Sequence, residues 1–156
     1  MDDKFWRLIH DIPVTMLTTE DADGTLRSRP MVAHQTQFDG DLWLFTRAGS
    51  PKTDEVARHH QVNLSFTEPA RQTYVSVSGW AELVRDGGKI RQLWSDALSK
   101  WFPRGPDDPD LALLRVRVEH AECWDSTASA MIQAYSAAKA GGDPGSADKP
   151  GRTSIH

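Results

Sequence analysis

The chain has 156 residues, with 18 basic and 22 acidic side chains and a formal net charge of −4. That length suits one domain around one core, and the charge balance gives no long-range pull toward nucleic acid. A single cysteine, Cys123, excludes an intrachain disulfide and gives no reason to expect secretion. There is no apolar run of membrane-spanning length, and the start Met1-Asp2-Asp3-Lys4 lacks an apolar signal region. The expectation is a cytoplasmic protein with neither a membrane nor a nucleic-acid partner.

Phe5, Trp6, Leu8 and Ile9 recur at helical spacing, which predicts a short amphipathic helix stopped by Pro13. Val14 to Thr19 and Leu26 to His34 read as strands joined by the turn Asp21-Ala22-Asp23-Gly24. Phe38-Asp39-Gly40-Asp41 turns the chain into a third strand ending at Thr46. Ser50 to His60 reads as a helix, with Ser50 at the N-cap, Pro51 at the first helical position and Asp54 and Glu55 in the first turn. Gln61 to Thr67 and Thr73 to Val84 follow as strands, and Gly79 in mid-strand predicts a bulge or a close approach.

Asp86-Gly87-Gly88 leads into an expected helix, Lys89 to Trp101, with Ile90, Leu93, Trp94, Ala97, Leu98 and Trp101 as its apolar stripe. A last strand, Leu111 to Asp125, alternates Leu114, Val116 and Val118 with Arg115, Arg117 and Glu119. Ser126 to Lys139 has a helical pattern. From Ala140 to His156 Gly, Asp, Pro, Ser and Lys dominate, which predicts a disordered tail after a domain of residues 1–139. Six strands and a few short helices imply a mainly β protein. Its form is a small antiparallel barrel, split and Greek-key-like because of the long connection through residues 89–101.

The stretch Leu26 to Lys52 carries the candidate site. Arg27 and Arg29 share one face of a strand, about 7 Å apart, and two guanidiniums so placed can grip one phosphate. The competing reading is a pair of solvated edge-strand charges. Pro30 removes a ladder N–H, so the strand must be an edge or bulged there. Ser50-Pro51-Lys52 adds a helix start, a hydroxyl and an ammonium, the chemistry of an anion site, or else an ordinary capped helix. His59-His60 is best explained by the dipole at a helix end. His120 and Cys123 fall on opposite faces of a strand and cannot chelate together. There is no metalloprotease, paired CxxC, GxSxG, Walker or Rossmann pattern. Trp6 and Trp94 belong on core-facing stripes. Trp101 and Trp124 fall at a barrel rim, where they suit an aromatic cofactor, an interface or core packing alike.

In order along the chain stand Val14-Thr15-Met16-Leu17-Thr18-Thr19, Arg27-Ser28-Arg29-Pro30-Met31, Leu42-Trp43-Leu44-Phe45-Thr46, Ser50-Pro51-Lys52, Tyr74-Val75-Ser76-Val77-Ser78-Gly79, Trp101-Phe102-Pro103-Arg104-Gly105 and Ala121-Glu122-Cys123-Trp124-Asp125. This set resembles the general stress protein branch of the pyridoxamine 5′-phosphate oxidase-like superfamily over about residues 4 to 130. The resemblance implies a homodimeric six-stranded split barrel with FMN, or FAD, at the subunit interface. Arg27, Ser28, Arg29, Pro30 and Met31 would line the flavin and its ribityl chain. Phe45 and Thr46 would flank the ring, and Ser50 and Lys52 would bind the phosphate. Tyr74, Ser76 and the Trp101 loop would come from the second copy. No counterpart of the vitamin oxidases' substrate-binding arginine and histidine pair is found, so the resemblance does not extend to pyridoxamine phosphate oxidation. A flavin-dependent oxidoreductase using NAD(P)H or another small reductant is one expectation. A non-catalytic protein that buffers, senses or delivers flavin is the other, with a deazaflavin or haem as a third ligand reading.

Overall fold

The computed structural model describes residues 4–35, 37–124 and 153–155. Turn chemistry builds its first half. Gly24 takes φ 86° and closes Asp21–Thr25, so that β1 (Val14–Glu20) and β2 (Leu26–Ala33) pair from Val14↔Val32 to Glu20↔Leu26. Gly40, at φ 101°, turns the chain into β3 (Asp41–Arg47). These left-handed positions are the ones glycine adopts without steric cost.

The strands β4 (Gln61–Glu68), β5 (Thr73–Val84) and β6 (Leu111–Trp124) complete one antiparallel sheet in the order β3-β2-β1-β4-β5-β6. Pairing of β3 with β6 from Asp41↔Arg117 to Arg47↔Leu111 closes it into a six-stranded barrel. The seam is uneven. β2 meets β3 only at Val32↔Phe45 and Ala33↔Leu44, so residues 26–31 of β2 have no strand on that side. This is the split, and Pro30 lies in it, where a missing N–H breaks no ladder. The bulge expected at Gly79 is present: the β5–β6 register shifts between Ser78 and Gly79, and a Cβ there would stand 2.2 Å from the Arg117 carbonyl.

Leu17, Leu44, Leu64, Val77 and Val116, all fully buried, fill the barrel, and α1 (Lys4–Ile9) adds Phe5 and Ile9 to them. A second apolar cluster lies outside the barrel wall. There Val32, Trp43, Phe45, Leu111 and Leu113 are covered by α3 (Gly87–Leu93) and the 3-10 turn Asp96–Lys100. Covering on both faces explains why Asp41 to Thr46 are all buried, a run without strand alternation.

The helix expected over Lys89–Trp101 is two pieces. Asp86 caps α3 by accepting from the Gly88 and Lys89 N–H groups, and Trp94 and Ser95 are extended. Ser95 then accepts from the Ala97 N–H to start the 3-10 turn. A serine that bonds its own backbone competes with helix continuation. Ile90, Leu93 and Leu98 still reach the second cluster, whereas Ala97 and Trp101 are exposed. Within the segment expected to be a disordered tail, Thr153–Ile155 forms β7, which pairs with Ala121–Cys123 on the edge of β6 beyond the end of β3. The helix expected over Ser126–Lys139 lies outside the described residues. No helix among the described residues is long and apolar enough to cross a membrane.

Candidate functional site

The turn after β3 meets the start of α2 (Pro51–Arg58) beside the open edge of β2. The Ser50 N–H bonds the Arg47 carbonyl at 3.2 Å, and the Thr53 hydroxyl donates to the carbonyls of Ala48 (2.9 Å) and Ser50 (2.7 Å). From the other side the Asp108–Asp110 loop holds this turn. The Ala48 N–H bonds the Asp110 carbonyl at 2.8 Å, the Gly49 N–H bonds Asp110 Oδ1 at 3.3 Å, and Arg47 stands 3.6 Å from the Asp108 carboxylate. The turn is therefore held from two directions by bonds that leave its own hydroxyls out.

Ser50 occupies the N-cap position but its side chain caps nothing, because the turn carries its own bonds. Its Oγ and the Oγ1 of Thr46 are the buried side-chain polar atoms without a partner among the described residues. Buried hydroxyls in this state are costly unless a ligand or solvent satisfies them. Both flank the same turn, Arg47-Ala48-Gly49. Two unpartnered hydroxyls beside the positive end of a helix are donors for phosphate oxygens, so these residues fit the phosphate end of a flavin nucleotide, although Pro51 has no N–H and the Thr53 N–H is already bonded to the Ser50 carbonyl. Lys52 follows in the first turn of α2.

The arginines of β2 are placed differently from a free pair. Arg27 is exposed and bonded to Asp21 of the β1–β2 turn. Arg29 reaches α2, with Nη2 2.9 Å from Glu55 Oε2 and Nη1 donating to the Thr19 hydroxyl, which in turn donates to Glu55. Hydrogen bonding with Glu55, and with the Arg27 guanidinium, holds the Asp21 carboxyl below its ordinary value, and Asp21 in turn raises Arg27. Glu55, 9% exposed, is the buried centre of this network. In the sequence it reads only as a first-turn acid, and Asp21 only as a turn former. No linear signal marks either as a partner of the arginines, because the network joins two strands and a helix.

The remaining candidates divide by place. Ser28 and Pro30 are exposed at the split, Ser28 bonded to the Thr18 hydroxyl at 2.6 Å, while Met31 is buried in the barrel. The Phe45 ring is buried against Trp94 and Phe102, with centroids 6.1 Å away in each case, so its side chain is spent on packing. Tyr74, Ser76 and Trp124 face outward and half-buried, with Tyr74 opposite Trp124 across the β5–β6 ladder. Trp101 is 45% exposed on its loop, apart from that ladder in the chain. His60, expected to serve a helix end, instead stacks on Trp80 at 4.2 Å with Nδ1 2.8 Å from the Ala81 carbonyl oxygen. His120 faces outward and Cys123 is buried in the core, on opposite sides of β6. Trp6 and Trp94 are half-buried at the margins of the two clusters rather than inside them.

The family model for pyridoxamine 5′-phosphate oxidase-like proteins matches residues 1–147. Protein bli-3 of Neurospora crassa is 33% identical over 123 residues, covering 72% of this chain, and the chain spans 59% of that longer protein. Among solved structures, the general stress FMN/FAD-binding protein of Xanthomonas citri is 28% identical, with a TM-score of 0.67 over 78% of this chain and 86% of that one. A protein of Clostridium acetobutylicum related to general stress protein 26 superposes with a TM-score of 0.69, at 21% identity, over 81% and 92% of the two chains. The split barrel, the order of its motifs and these matches lead to one assignment: the chain belongs to the pyridoxamine 5′-phosphate oxidase-like family, in its general stress protein branch.

Proposed function

We propose that this chain binds FMN at the split and acts as a flavin-dependent oxidoreductase. The observation that carries the reading is the pair of buried, unpartnered hydroxyls of Thr46 and Ser50 at the start of α2. The FMN/FAD binding named for the Xanthomonas citri neighbour supports it. Ser50 and Lys52 hold the phosphate together with the N-terminus of α2, Arg29 faces its end of the cleft, and Ser28, Pro30 and Thr46 border the rest. Bound flavin supplies hydride or electron transfer, while the chain supplies orientation and charge complementarity.

The site is completed by a second copy. The outward face of the sheet runs Pro30–Met16–Ser65–Ser76–Glu122 and Ser28–Thr18–Asn63–Ser78–His120 across five strands. It carries small polar side chains with Val14 and Met16 exposed at 41% and 40%. A homodimer over this face would bring Tyr74, Ser76, Trp101 and Trp124 of one copy toward the flavin held by the other. One feature favours a second reading, a flavin carrier without turnover: the buried acid beside the site, Glu55, is engaged by Arg29 and Thr19 and is not free for acid–base work.

Purified protein should be yellow with flavin absorption. The variant Arg29→Ala/Lys52→Ala should bind FMN on the order of a hundredfold more weakly, the loss expected for two charge-assisted bonds, with riboflavin affinity changed little. A colourless protein that does not quench added FMN fluorescence overturns the reading. NAD(P)H oxidation by the loaded protein separates the enzyme from the carrier.

A further inference from the structure

We infer that Glu55 is a positioning residue for the phosphate end of the site, acting through Arg29. This rests on the flavin reading above. An arginine at an open strand edge has about four rotatable bonds and loses substantial freedom when it grips a ligand. Arg29 has already lost it. Nη2 is held by Glu55, Nη1 by Thr19, and Thr19 is itself fixed by its bond to the same Glu55 oxygen. A guanidinium has five N–H groups; these two bonds use one each on Nη1 and Nη2, and the side chain keeps 22% exposure. Glu55 sits on α2, five residues beyond the unpartnered Ser50 hydroxyl, and the neighbouring Val56 is buried in the barrel core. One side chain thus ties the arginine of β2 to the helix that presents the phosphate donors, so the two halves of the anion site keep a fixed separation.

The opposing view is that Glu55 competes with the phosphate for Arg29. The two views differ in sign. If Glu55 positions Arg29, Glu55→Ala frees the guanidinium and FMN binds about tenfold more weakly, the size of one lost charge-assisted bond. If it competes, Glu55→Ala and Glu55→Gln both bind FMN more tightly. Glu55→Gln should stay near the wild-type affinity. Its amide oxygen still accepts from Arg29 and from the Thr19 hydroxyl.

The experiment is fluorescence titration of FMN and of riboflavin against the wild type, Glu55→Ala, Glu55→Gln, Arg29→Ala and Arg29→Ala/Glu55→Ala. Positioning predicts loss for FMN alone, rescue by Gln, and no further loss when Glu55→Ala is added to Arg29→Ala. Equal loss for both ligands means that Glu55 serves the fold only and overturns the inference, as does tighter FMN binding in either Glu55 variant. A wild-type chain that binds no FMN overturns the flavin reading and this inference with it. Wild-type binding that Glu55→Ala leaves unchanged overturns this inference alone.

Discussion

The two sides of β2 and of β5 carry opposite solutions to the same problem. β5 is paired to β6 without interruption from Tyr74↔Trp124 to Val84↔Leu113, its single irregularity absorbed by Gly79. β2 meets β3 over two residue pairs and then leaves its edge open. Where the ladder is complete, polar atoms are satisfied: the buried Thr15 hydroxyl, for instance, donates to the Ser65 carbonyl at 2.9 Å. Beside the open edge the Thr46 and Ser50 hydroxyls are buried with nothing to bond. The closed side makes stability, and the open side holds unspent bonding capacity, which is what a ligand site needs.

Breaking the closed side should give the largest effect. Gly79→Val places a side chain against the Arg117 carbonyl, which backbone atoms cannot yield to cheaply, and should destabilise the protein by about 3 kcal/mol in urea unfolding. A smaller but sharper contrast comes from the same substitution at two buried threonines. Thr15→Val removes a made hydrogen bond and should cost about 1 kcal/mol. Thr46→Val removes an unmet one and should leave the flavin-free protein more stable by about 1 kcal/mol, raising Tm by a few degrees, while weakening FMN binding. A Thr46→Val variant that is less stable without flavin would mean that its hydroxyl is satisfied after all, and the contrast would fail.

The smallest effect concerns the charge network at the open side. Hydrogen bonding with Glu55 and Arg27 lowers the Asp21 carboxyl below its ordinary value of 3.8 in the folded state. A depressed carboxyl contributes stability that is present above the unfolded value and is lost as the pH falls through the folded one. The stability difference between wild type and Asp21→Asn should therefore be constant at neutral pH and shrink below about pH 4. Urea midpoints taken from pH 7 to pH 3 check this, and a difference that is flat to pH 3 would remove Asp21 from the network. Asp11, lowered by its hydrogen bond with Arg71, should give the same sign at a site remote from the split.

Much of the fold was readable from local chemistry. Asp21 to Gly24, Phe38 to Asp41 and the alternation of residues 73–84 and 114–119 predict the hairpins and their faces, since turn dihedrals and strand periodicity are properties of neighbours in sequence. Pro30 predicts an open edge and Gly79 a bulge for the same reason. The helix expected over residues 89–101 fails because apolar spacing alone does not register that Ser95 bonds its own backbone. The sequence marks Asp41 to Thr46 as a strand, and its burial on both faces is decided by α3 covering the outer one.

The site was readable only as a set of residue types. Sequence determined that arginines, a hydroxyl and a lysine fall close together along the chain, within one stretch of 26 residues from Arg27 to Lys52. The tertiary structure decided which of them are free. It joined Arg27 to Asp21 and Arg29 to Glu55, buried the Phe45 ring under Trp94 and Phe102, and left the Thr46 and Ser50 hydroxyls without partners. Whether a polar group is spent or available depends on what other strands and helices bring to it. That is a property of packing across the chain and not of any residue's neighbours in sequence.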